Sequence, residues 1–334
     1  MEASKSTAEA ARDVPGTTRS AVPGGATRSS SPEIGYNPGL HKWSLLLAFC
    51  TLLLVVAGGL VTSRDAGLSV PDWPLSYGKL MPKMEGGILY EHGHRMVATT
   101  VGLFTIVLLV WIFRAEHRSW MRPLAVAALI AVIVQGVLGG LTVLLLLPWW
   151  ISSSHATLAQ LFFSTTVVIA LFTSRQWFRR PSVVPEDDEN PLRGLSLAAP
   201  IFVLGQLFLG AAVRHKAIGA IYHICGAPLV TCVVLWVSMR ILLHYGRNRE
   251  LRTCAVALIT ITLTQVFLGI AAYMTRIAYA DAVQPMPLMV TFTVLHVAVG
   301  ALTLAASVVL AILVRRNLGE RVTLPELTAD AASA

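Results

Sequence analysis

The sequence predicts an all-α integral membrane protein in which eight transmembrane helices form two pseudosymmetric four-helix bundles. Three observations support this fold class. Of the 334 residues, 55% are hydrophobic and only 13% are charged, whereas charged residues make up about 25% of a typical soluble domain. Several apolar runs approach the ~20 residues that a helix needs to cross ~30 Å of hydrocarbon. A short motif also recurs within these runs. A water-soluble protein built around one core is therefore excluded.

The first 38 residues are rich in Ser, Ala, Thr, Gly and Pro and contain no apolar run, so we predict a disordered tail over residues 1–38. A secretory signal is not expected because its apolar central region is missing, whereas the Arg- and Ser-rich, acid-poor composition leaves an organelle transit peptide open. The further predicted segments are an N-terminal bundle over 39–180, a cytoplasmic linker over 181–192, a C-terminal bundle over 193–316 and a cytoplasmic tail over 317–334.

Eight spans are expected after the tail. They lie at about residues 42–63, 91–113, 121–147, 152–175, 193–213, 218–243, 252–274 and 287–314. Loops on the cytoplasmic side of a membrane carry an excess of Lys and Arg. One set of loops holds eleven basic residues, namely Arg114, Arg118, Arg122, Arg175, Arg179, Arg180, Arg193, Arg240, Arg247, Arg249 and Arg252.

The other set of loops holds six basic residues, namely Arg64, Lys79, Lys83, Arg214, Lys216 and Arg276. We therefore expect both termini in the cytoplasm, the 64–90 loop outside, and a location in the bacterial inner (plasma) membrane. The net charge of +8 lies in short clusters between apolar runs, so we expect membrane lipid as a partner and no nucleic acid.

The motif Gln-x-x-Leu-Gly occurs three times, at Gln135–Gly139, Gln206–Gly210 and Gln265–Gly269. Internal repeats in membrane proteins usually mark two related halves, so spans 1 to 4 and 5 to 8 are predicted to form the two bundles. Two interpretations of the motif are open. Close helix packing at the glycine, with the amide bonded across the interface, is favoured over direct contact with a ligand.

Four of the histidines inside the predicted spans recur in the same order in each half. His94 and His155 lie in the second and fourth spans, while His223 and His296 lie in the sixth and eighth. Two histidines from paired helices can bind haem iron from opposite faces, and the largely apolar porphyrin suits a bundle interior. The alternative for each histidine is a hydrogen bond to a neighbouring helix. The recurrence at matching positions favours two haem sites.

Glu91 is the only acidic residue in a predicted span, and it lies three positions before His94 on the same helical face. A carboxylate in a membrane is a functional candidate. The alternative is that Glu91 lies at the water boundary and stabilises the start of the helix. A di-iron carboxylate site is excluded because it would need several more carboxylates in the bundle.

Basic residues near the level of the predicted haems could pair with the anionic propionates, or could anchor the helices at the interface. These residues are Arg64, Arg95, Arg214, Lys216 and Arg276.

The four cysteines lie in apolar stretches without Cys-x-x-Cys spacing, so neither a disulfide framework nor a zinc site is indicated. Cys50, Cys225, Cys232 and Cys254 are expected to be inert thiols that pack between helices.

Several motifs closely resemble those of the haem A synthase family. They are Gly58-Gly-Leu-Val-Thr-Ser63, Gly67-Leu-Ser-Val-Pro-Asp-Trp-Pro74, Glu91-x-x-His-Arg95 and Ser154-His155. The resemblance extends from about residue 42 to 315. It implies an eight-helix enzyme that oxidises the C8 methyl group of haem o to the formyl group of haem a for terminal oxidases.

The resemblance also implies roles for the candidate residues. His94 and His155 would bind the substrate haem, His223 and His296 would bind the iron of a haem b cofactor, and Glu91 would take part in the oxidation. The enzyme that produces haem o and an electron acceptor are the implied partners. Many family members carry a cysteine pair in the first outer loop, whereas this chain has Ser76 at about one of those positions. No thiol role for the loop is carried over.

Two other functions remain as alternatives. A non-enzymatic b-type cytochrome with two haems, exchanging electrons with quinone, would explain the histidines but would give Glu91 and the Pro-Asp-Trp-Pro segment no task. A transporter is suggested by the repeats. It is disfavoured because, apart from Glu91, no acidic residue within a span could form a path for a coupling ion.

Overall fold

A computed structural model describes residues 35–186 and 191–319. Eight helices in it are long and apolar enough to cross a membrane, which confirms the predicted all-α integral membrane class. The helices are α1 (Pro38–Ser63), α2 (Gly86–Ala115), α3 (Met121–Leu144), α4 (Trp149–Thr173), α5 (Arg175–Phe178), α6 (Leu192–Leu195), α7 (Ala198–Arg214), α8 (Ala220–Tyr245), α9 (Arg249–Ala278) and α10 (Pro287–Asn317). The short helices α6 and α7 together make the fifth span, Leu192–Arg214.

Two strands of two residues pair in parallel at the end of the molecule that holds the linker. Strand β1 (Val184–Pro185) belongs to the linker, and β2 (Leu318–Gly319) follows α10 directly. Of the predicted tails and linker, residues 1–34, 187–190 and 320–334 lie outside the described residues.

Local sequence signals set the beginnings of several helices. Asn37 accepts a hydrogen bond from the Leu40 amide at 3.0 Å, and Pro38 occupies the first position of α1, where its missing N–H costs nothing. The predicted tail over 1–38 therefore ends before Asn37. Asn248 caps α9 in the same way by accepting from the Glu250 and Leu251 amides.

The helices of each half pack around their own core. In the N-terminal half, α1 and α3 each contact both α2 and α4. In the C-terminal half, α7 and α9 each contact both α8 and α10. The buried clusters at the centres of the halves include Leu47, Val101 and Phe162 in the first, and Val237 and Leu258 in the second.

The two halves meet along α1 and α4 on one side and α7 and α10 on the other. A buried cluster of Val55, Phe163, Ala301 and Ala305 fills this boundary. Half of the apolar stretch of α4 and 61% of that of α10 are buried, against 33% or less in the other six spans. Helices α4 and α10 are therefore the central helices, and the others present apolar side chains to lipid.

Candidate functional site

The four predicted ligand histidines share one local environment. Each lies on the second helix of a helical hairpin and faces a glycine on the first helix. A Cβ atom on that glycine would lie 2.8 to 3.2 Å from the imidazole Cε1 atom, so the missing side chain is what makes room for the ring. The pairs are Gly58 with His94, Gly139 with His155, Gly210 with His223 and Gly269 with His296.

The glycines of the Gln-x-x-Leu-Gly motif are three of these four, and its glutamines tie the same helices together. Gln135 Nε2 donates to the His155 carbonyl at 2.8 Å, and Gln206 Nε2 donates to the His223 carbonyl at 2.7 Å. Gln265 Nε2 lies 3.4 Å from His296 Nε2. The packing interpretation, with the amide bonded across the interface, is confirmed for Gln135 and Gln206.

The first hairpin is a fourth copy of this arrangement that sequence reasoning missed. Leu54 stands four residues before Gly58, where the other three hairpins have glutamine. Because leucine replaces the glutamine, the Gln-x-x-Leu-Gly motif does not occur in the first hairpin. A search for a glycine on the helix before each histidine would have found Gly58.

The imidazoles are turned so that Nδ1 faces the glycine-bearing helix. His296 Nδ1 lies 3.1 Å from the Gln265 carbonyl oxygen. The corresponding carbonyls of Leu54, Gln135 and Gln206 face the other three rings, where Nδ1 is buried without a well-aligned partner among the described residues. A proton on Nδ1 that points to a backbone carbonyl leaves Nε2 as the free lone pair, which is the usual arrangement of a histidine that ligates a metal.

The C-terminal pair has the separation that one iron between two imidazoles requires. The ring centroids of His223 and His296 are 6.1 Å apart, and the rings are inclined at 85°. Two metal–nitrogen bonds of about 2 Å, together with the half-width of each ring, give a centroid separation of about 6 Å. Within residues 35–186 and 191–319, no group of three or more His, Cys, Asp or Glu could hold a metal ion. The two imidazoles would supply two ligands to a metal, as they would to the iron of a haem.

In the N-terminal half, His94 and His155 lie in α2 and α4, each against the glycine of the preceding helix. All four histidines lie in the halves of their helices nearest to the segments 64–85, 145–148, 215–219 and 279–286, so the two pairs are at the same end of the molecule. This is the side that the sequence predicts to be outside.

Glu91 is buried, with 4% of its surface exposed, and it lies in the second turn of α2 because that helix begins at Gly86. The helix-start interpretation of Glu91 is therefore wrong. Its Oε2 atom accepts a hydrogen bond from the Val70 amide at 2.9 Å, and Oε1 pairs with Arg95 at 2.6 Å. The carboxylate thus faces the outer segment 64–85, which we call the outer loop.

Arg95 joins α2 to the outer loop as well. Its Nη1 atom donates to the carbonyls of Asp72 and Leu75, each at 2.8 Å. The Arg95 guanidinium is thus engaged by Glu91 and by the loop backbone, and its contact with a propionate stays a prediction. A planar group with five donors suits this bridging position.

His92 is a further residue of this network to which sequence reasoning assigned no role. Its Nδ1 atom is hydrogen-bonded to Ser76 Oγ at 2.8 Å, and 6% of His92 and none of Ser76 is exposed. Ser76, noted in the sequence only as the residue at a family cysteine position, is thus a buried contact between loop and helix. The signal for His92 was its place inside the Glu91-x-x-His-Arg95 motif.

The outer loop has its own internal structure. Asp72 accepts hydrogen bonds from the amides of Tyr77 at 2.6 Å and Gly78 at 2.8 Å. The Gly78 amide, aided by that of Tyr77, lowers the pKa of the Asp72 carboxyl below its usual value. Trp73 lies so close to Gly140 on α3 that a Cβ atom there would be 2.7 Å from the indole. The loop therefore covers the end of the N-terminal half.

The other basic candidates occupy different environments. Arg214 Nη2 donates to the Gly59 carbonyl and to Ser63 Oγ, each at 2.7 Å, so it links α7 to α1 across the boundary between the halves. The Arg64 guanidinium lies 5.3 Å from the centre of the Tyr90 ring, and its Nε atom is buried without a hydrogen-bond partner in the described chain. Lys216 and Arg276 are exposed.

All four cysteines are free. Cys50 and Cys254 are half-buried and pack against the cores of the two halves. Cys225 and Cys232 are exposed on α8. The prediction that all four pack between helices is therefore wrong for Cys225 and Cys232, because these two lie on the side of α8 that no other helix covers.

Comparisons with known proteins agree with this architecture. A family model described as cytochrome oxidase assembly protein matches residues 41–225. A protein of Symbiobacterium thermophilum named Heme A synthase is 31% identical over 195 residues, which are 57% of this chain and 63% of the relative. The Heme A synthase of an Exiguobacterium species is 31% identical over 194 residues, 56% of this chain and 62% of the relative. The chain thus spans slightly less than two thirds of these two relatives.

A longer match is found with the Heme A synthase of Shouchella clausii, which is 24% identical over 269 residues. This alignment covers 71% of this chain and 87% of the relative.

Proposed function

Because this chain belongs to the cytochrome oxidase assembly protein family, we propose that it is a haem A synthase. It oxidises the C8 methyl group of haem o to the formyl group of haem a, which terminal oxidases use. The observation that carries the proposal is the pair His223 and His296, whose centroids are 6.1 Å apart and whose rings each fit against a glycine. The names of the aligned relatives supply the reaction.

In the C-terminal half, His223 and His296 hold a haem b cofactor. When bound between two imidazoles, this group supplies one-electron transfer with little change of its surroundings. Gly210 and Gly269 admit the rings, the Gln206 amide bonds α7 to α8, and Gln265 lies beside the His296 ring. The glycine contacts and the Gln206 hydrogen bond would keep the imidazoles in place while the haem is bound.

In the N-terminal half, His94 and His155 bind the substrate haem o. Glu91 lies one turn before His94 on α2 and acts in the reaction, either by holding a proton or by stabilising positive charge at the methyl carbon. Each of its oxygens accepts one hydrogen bond, from Arg95 or from the Val70 amide, and retains capacity for a second donor. The ion pair thus holds the carboxylate in place, and each oxygen can still accept another hydrogen bond.

Basic side chains on this side of the molecule neutralise the haem propionates. Arg64 is the best placed because its Nε atom is buried and unpaired in the described chain, and the further candidates are Arg95, Arg214, Lys216 and Arg276. The side that carries the histidines faces away from the cytoplasm of a bacterial inner membrane, and both termini are cytoplasmic. The enzyme that makes haem o and an electron acceptor are the expected partners.

The experiment is to purify the full chain from cells that make haem o, extract the haems and separate them. We expect haem b together with haem o or haem a, and formation of haem a in the cells. His223→Ala or His296→Ala should remove haem b and leave the N-terminal site able to bind haem. Recovery of haem b alone, without haem a in the cells, would instead identify a b-type cytochrome.

A further inference from the structure

We propose that His94 is the displaceable ligand of the substrate haem and that the outer loop, rather than a glutamine on helix α1, holds the helix turn that carries it. This inference rests on the proposed function only in taking His94 and His155 as the substrate-haem pair. It makes Leu54 and Ser76 positioning residues, which control how fast the N-terminal half exchanges its haem.

The four hairpins differ in the residue that stands four positions before the glycine. Gln135 is bonded to the backbone of His155, Gln206 to the backbone of His223, and Gln265 lies beside the ring of His296. In the first hairpin Leu54 occupies the corresponding position, and its side chain has no donor. His94 is therefore the one predicted ligand whose hairpin has no glutamine at this position.

Hydrogen bonds to the outer loop hold α2 where the glutamine is missing. Three residues around His94 are bonded to the outer loop: Glu91 to the Val70 amide, His92 to Ser76, and Arg95 to the Asp72 and Leu75 carbonyls. We call this set of contacts the loop latch. It fastens the helix turn that carries His94 to a loop, while the side-chain hydrogen bond from α1 to α2, which Trp43 Nε1 donates to the Phe104 carbonyl, lies further along the helix.

The two halves also differ in the length of the segment between their first two spans. The outer loop separates α1 from α2 by residues 64–85, whereas only residues 215–219 separate α7 from α8. A loop at the water boundary can open with its local contacts, since such segments are the least stable parts of a fold. Breaking a glutamine tie between two packed spans requires the spans to separate.

This contrast matches what a substrate site and a cofactor site need. A substrate site must release its product, so one weakly held ligand is an advantage. A resident cofactor needs two firmly held ligands, and both hairpins of the C-terminal half carry the glutamine. His155, with its Gln135 tie, remains the fixed ligand of the N-terminal half.

The test measures haem release, not oxidation. The purified full chain, loaded with ferric haem b at both sites, is mixed with excess apomyoglobin, and haem transfer is followed by absorption. His296→Ala identifies the phase that belongs to the C-terminal half. Leu54→Gln restores the missing tie and should slow the N-terminal phase about three- to tenfold, the effect of one hydrogen bond. A merely damaged structure would release haem faster, not more slowly.

Leu53→Gln is the matched control, because Leu53 is the adjacent residue of α1 and is 46% exposed towards lipid. It should leave both phases unchanged. Ser76→Ala should speed the N-terminal phase about three- to tenfold by loosening the loop latch, and should leave the C-terminal phase unchanged. Gln206→Leu should speed only the C-terminal phase.

If Leu54→Gln does not fold, Ser76→Ala tests whether the outer loop controls haem release from the N-terminal half. N-terminal release that stays within about twofold of the unmodified rate in Ser76→Ala, while Gln206→Leu speeds the C-terminal phase, would overturn this inference and leave the proposed function intact. An unmodified chain with no haem in the N-terminal half would overturn the proposed function itself.

Discussion

Gly210 on α7 lies directly against the imidazole of His223 on α8, where a Cβ atom would come within 3.0 Å of Cε1. The same contact recurs in the other three hairpins of the membrane domain. The repeating unit of this fold is therefore a two-helix hairpin used four times, and the two halves are each a pair of hairpins. Each hairpin contributes one glycine and one histidine, and in the C-terminal half the two imidazoles lie 6.1 Å apart.

Gly210→Ala should displace the His223 ring and weaken haem retention in the C-terminal half. Overpacking of this kind costs about 1–3 kcal/mol, which corresponds to roughly five- to 150-fold weaker binding. The measurement is haem b content and the rate of haem loss from the purified protein. Gly205→Ala on the same helix is the control, because a Cβ atom there meets nothing within 4 Å. Equal haem retention in both variants would contradict the glycine argument.

Sequence reasoning could predict the fold class and the eight spans because both depend on composition and hydropathy over long windows. Helix ends were harder to predict. The second span was placed at 91–113, but α2 extends over Gly86–Ala115 because backbone hydrogen bonding continues past the apolar run. This error made Glu91 look like a residue at the start of the helix.

The candidate site, too, could be predicted only in part from the sequence. The histidine pairs could be predicted from their recurrence, whereas the contacts around them depend on how the outer loop folds. His92 and Ser76 are 16 positions apart in sequence, and no local pattern indicates that they touch. The roles of His94 and His155 as a haem pair stay a prediction.

Glu91→Gln should leave haem bound and abolish haem a formation, because the side-chain volume is nearly unchanged but the charge is lost. The variant also leaves Arg95 without its carboxylate, and breaking a buried ion pair costs about 3–5 kcal/mol, reduced here by the loop carbonyls that Arg95 retains. We therefore expect a lower melting temperature as well. The measurements are haem a yield in cells and thermal unfolding of the purified protein.

The control for the Glu91 variant is Glu85→Gln. Glu85 pairs with Lys83 at 2.6 Å, but both side chains are largely exposed, so the pair contributes about 1 kcal/mol or less. This variant should keep both haem a yield and melting temperature. If Glu91→Gln cells make normal amounts of haem a, then the carboxylate has only a structural role.

The outer loop should lose order at low pH because of Asp72. Hydrogen bonds from the Gly78 and Tyr77 amides lower the pKa of this carboxyl in the folded protein. A lowered folded pKa means that the stabilisation is complete above the unfolded value of about 3.9 and is lost as the pH falls through the folded value. Hydrogen exchange at the Tyr77 and Gly78 amides should therefore accelerate more than the intrinsic rate predicts below pH ~4.

Asp72→Asn provides the comparison for this pH dependence. The amide keeps an acceptor oxygen but does not titrate, so exchange at the Tyr77 amide should be faster than in the unmodified protein at neutral pH and should show no further acid transition. An acid transition that persists in Asp72→Asn would assign the effect to another group.

A variant with all four cysteines replaced by Ala or Ser should still make haem a. All four thiols are free, and Cys225 and Cys232 are exposed on α8, where they contact no second thiol. Cys50 and Cys254 pack against the cores of different halves, so their replacement should cost stability rather than activity. The measurement is haem a yield together with haem content. Loss of haem a formation with both haems still bound would show that a thiol takes part, and Cys225, two residues after His223, would then be the first to restore singly.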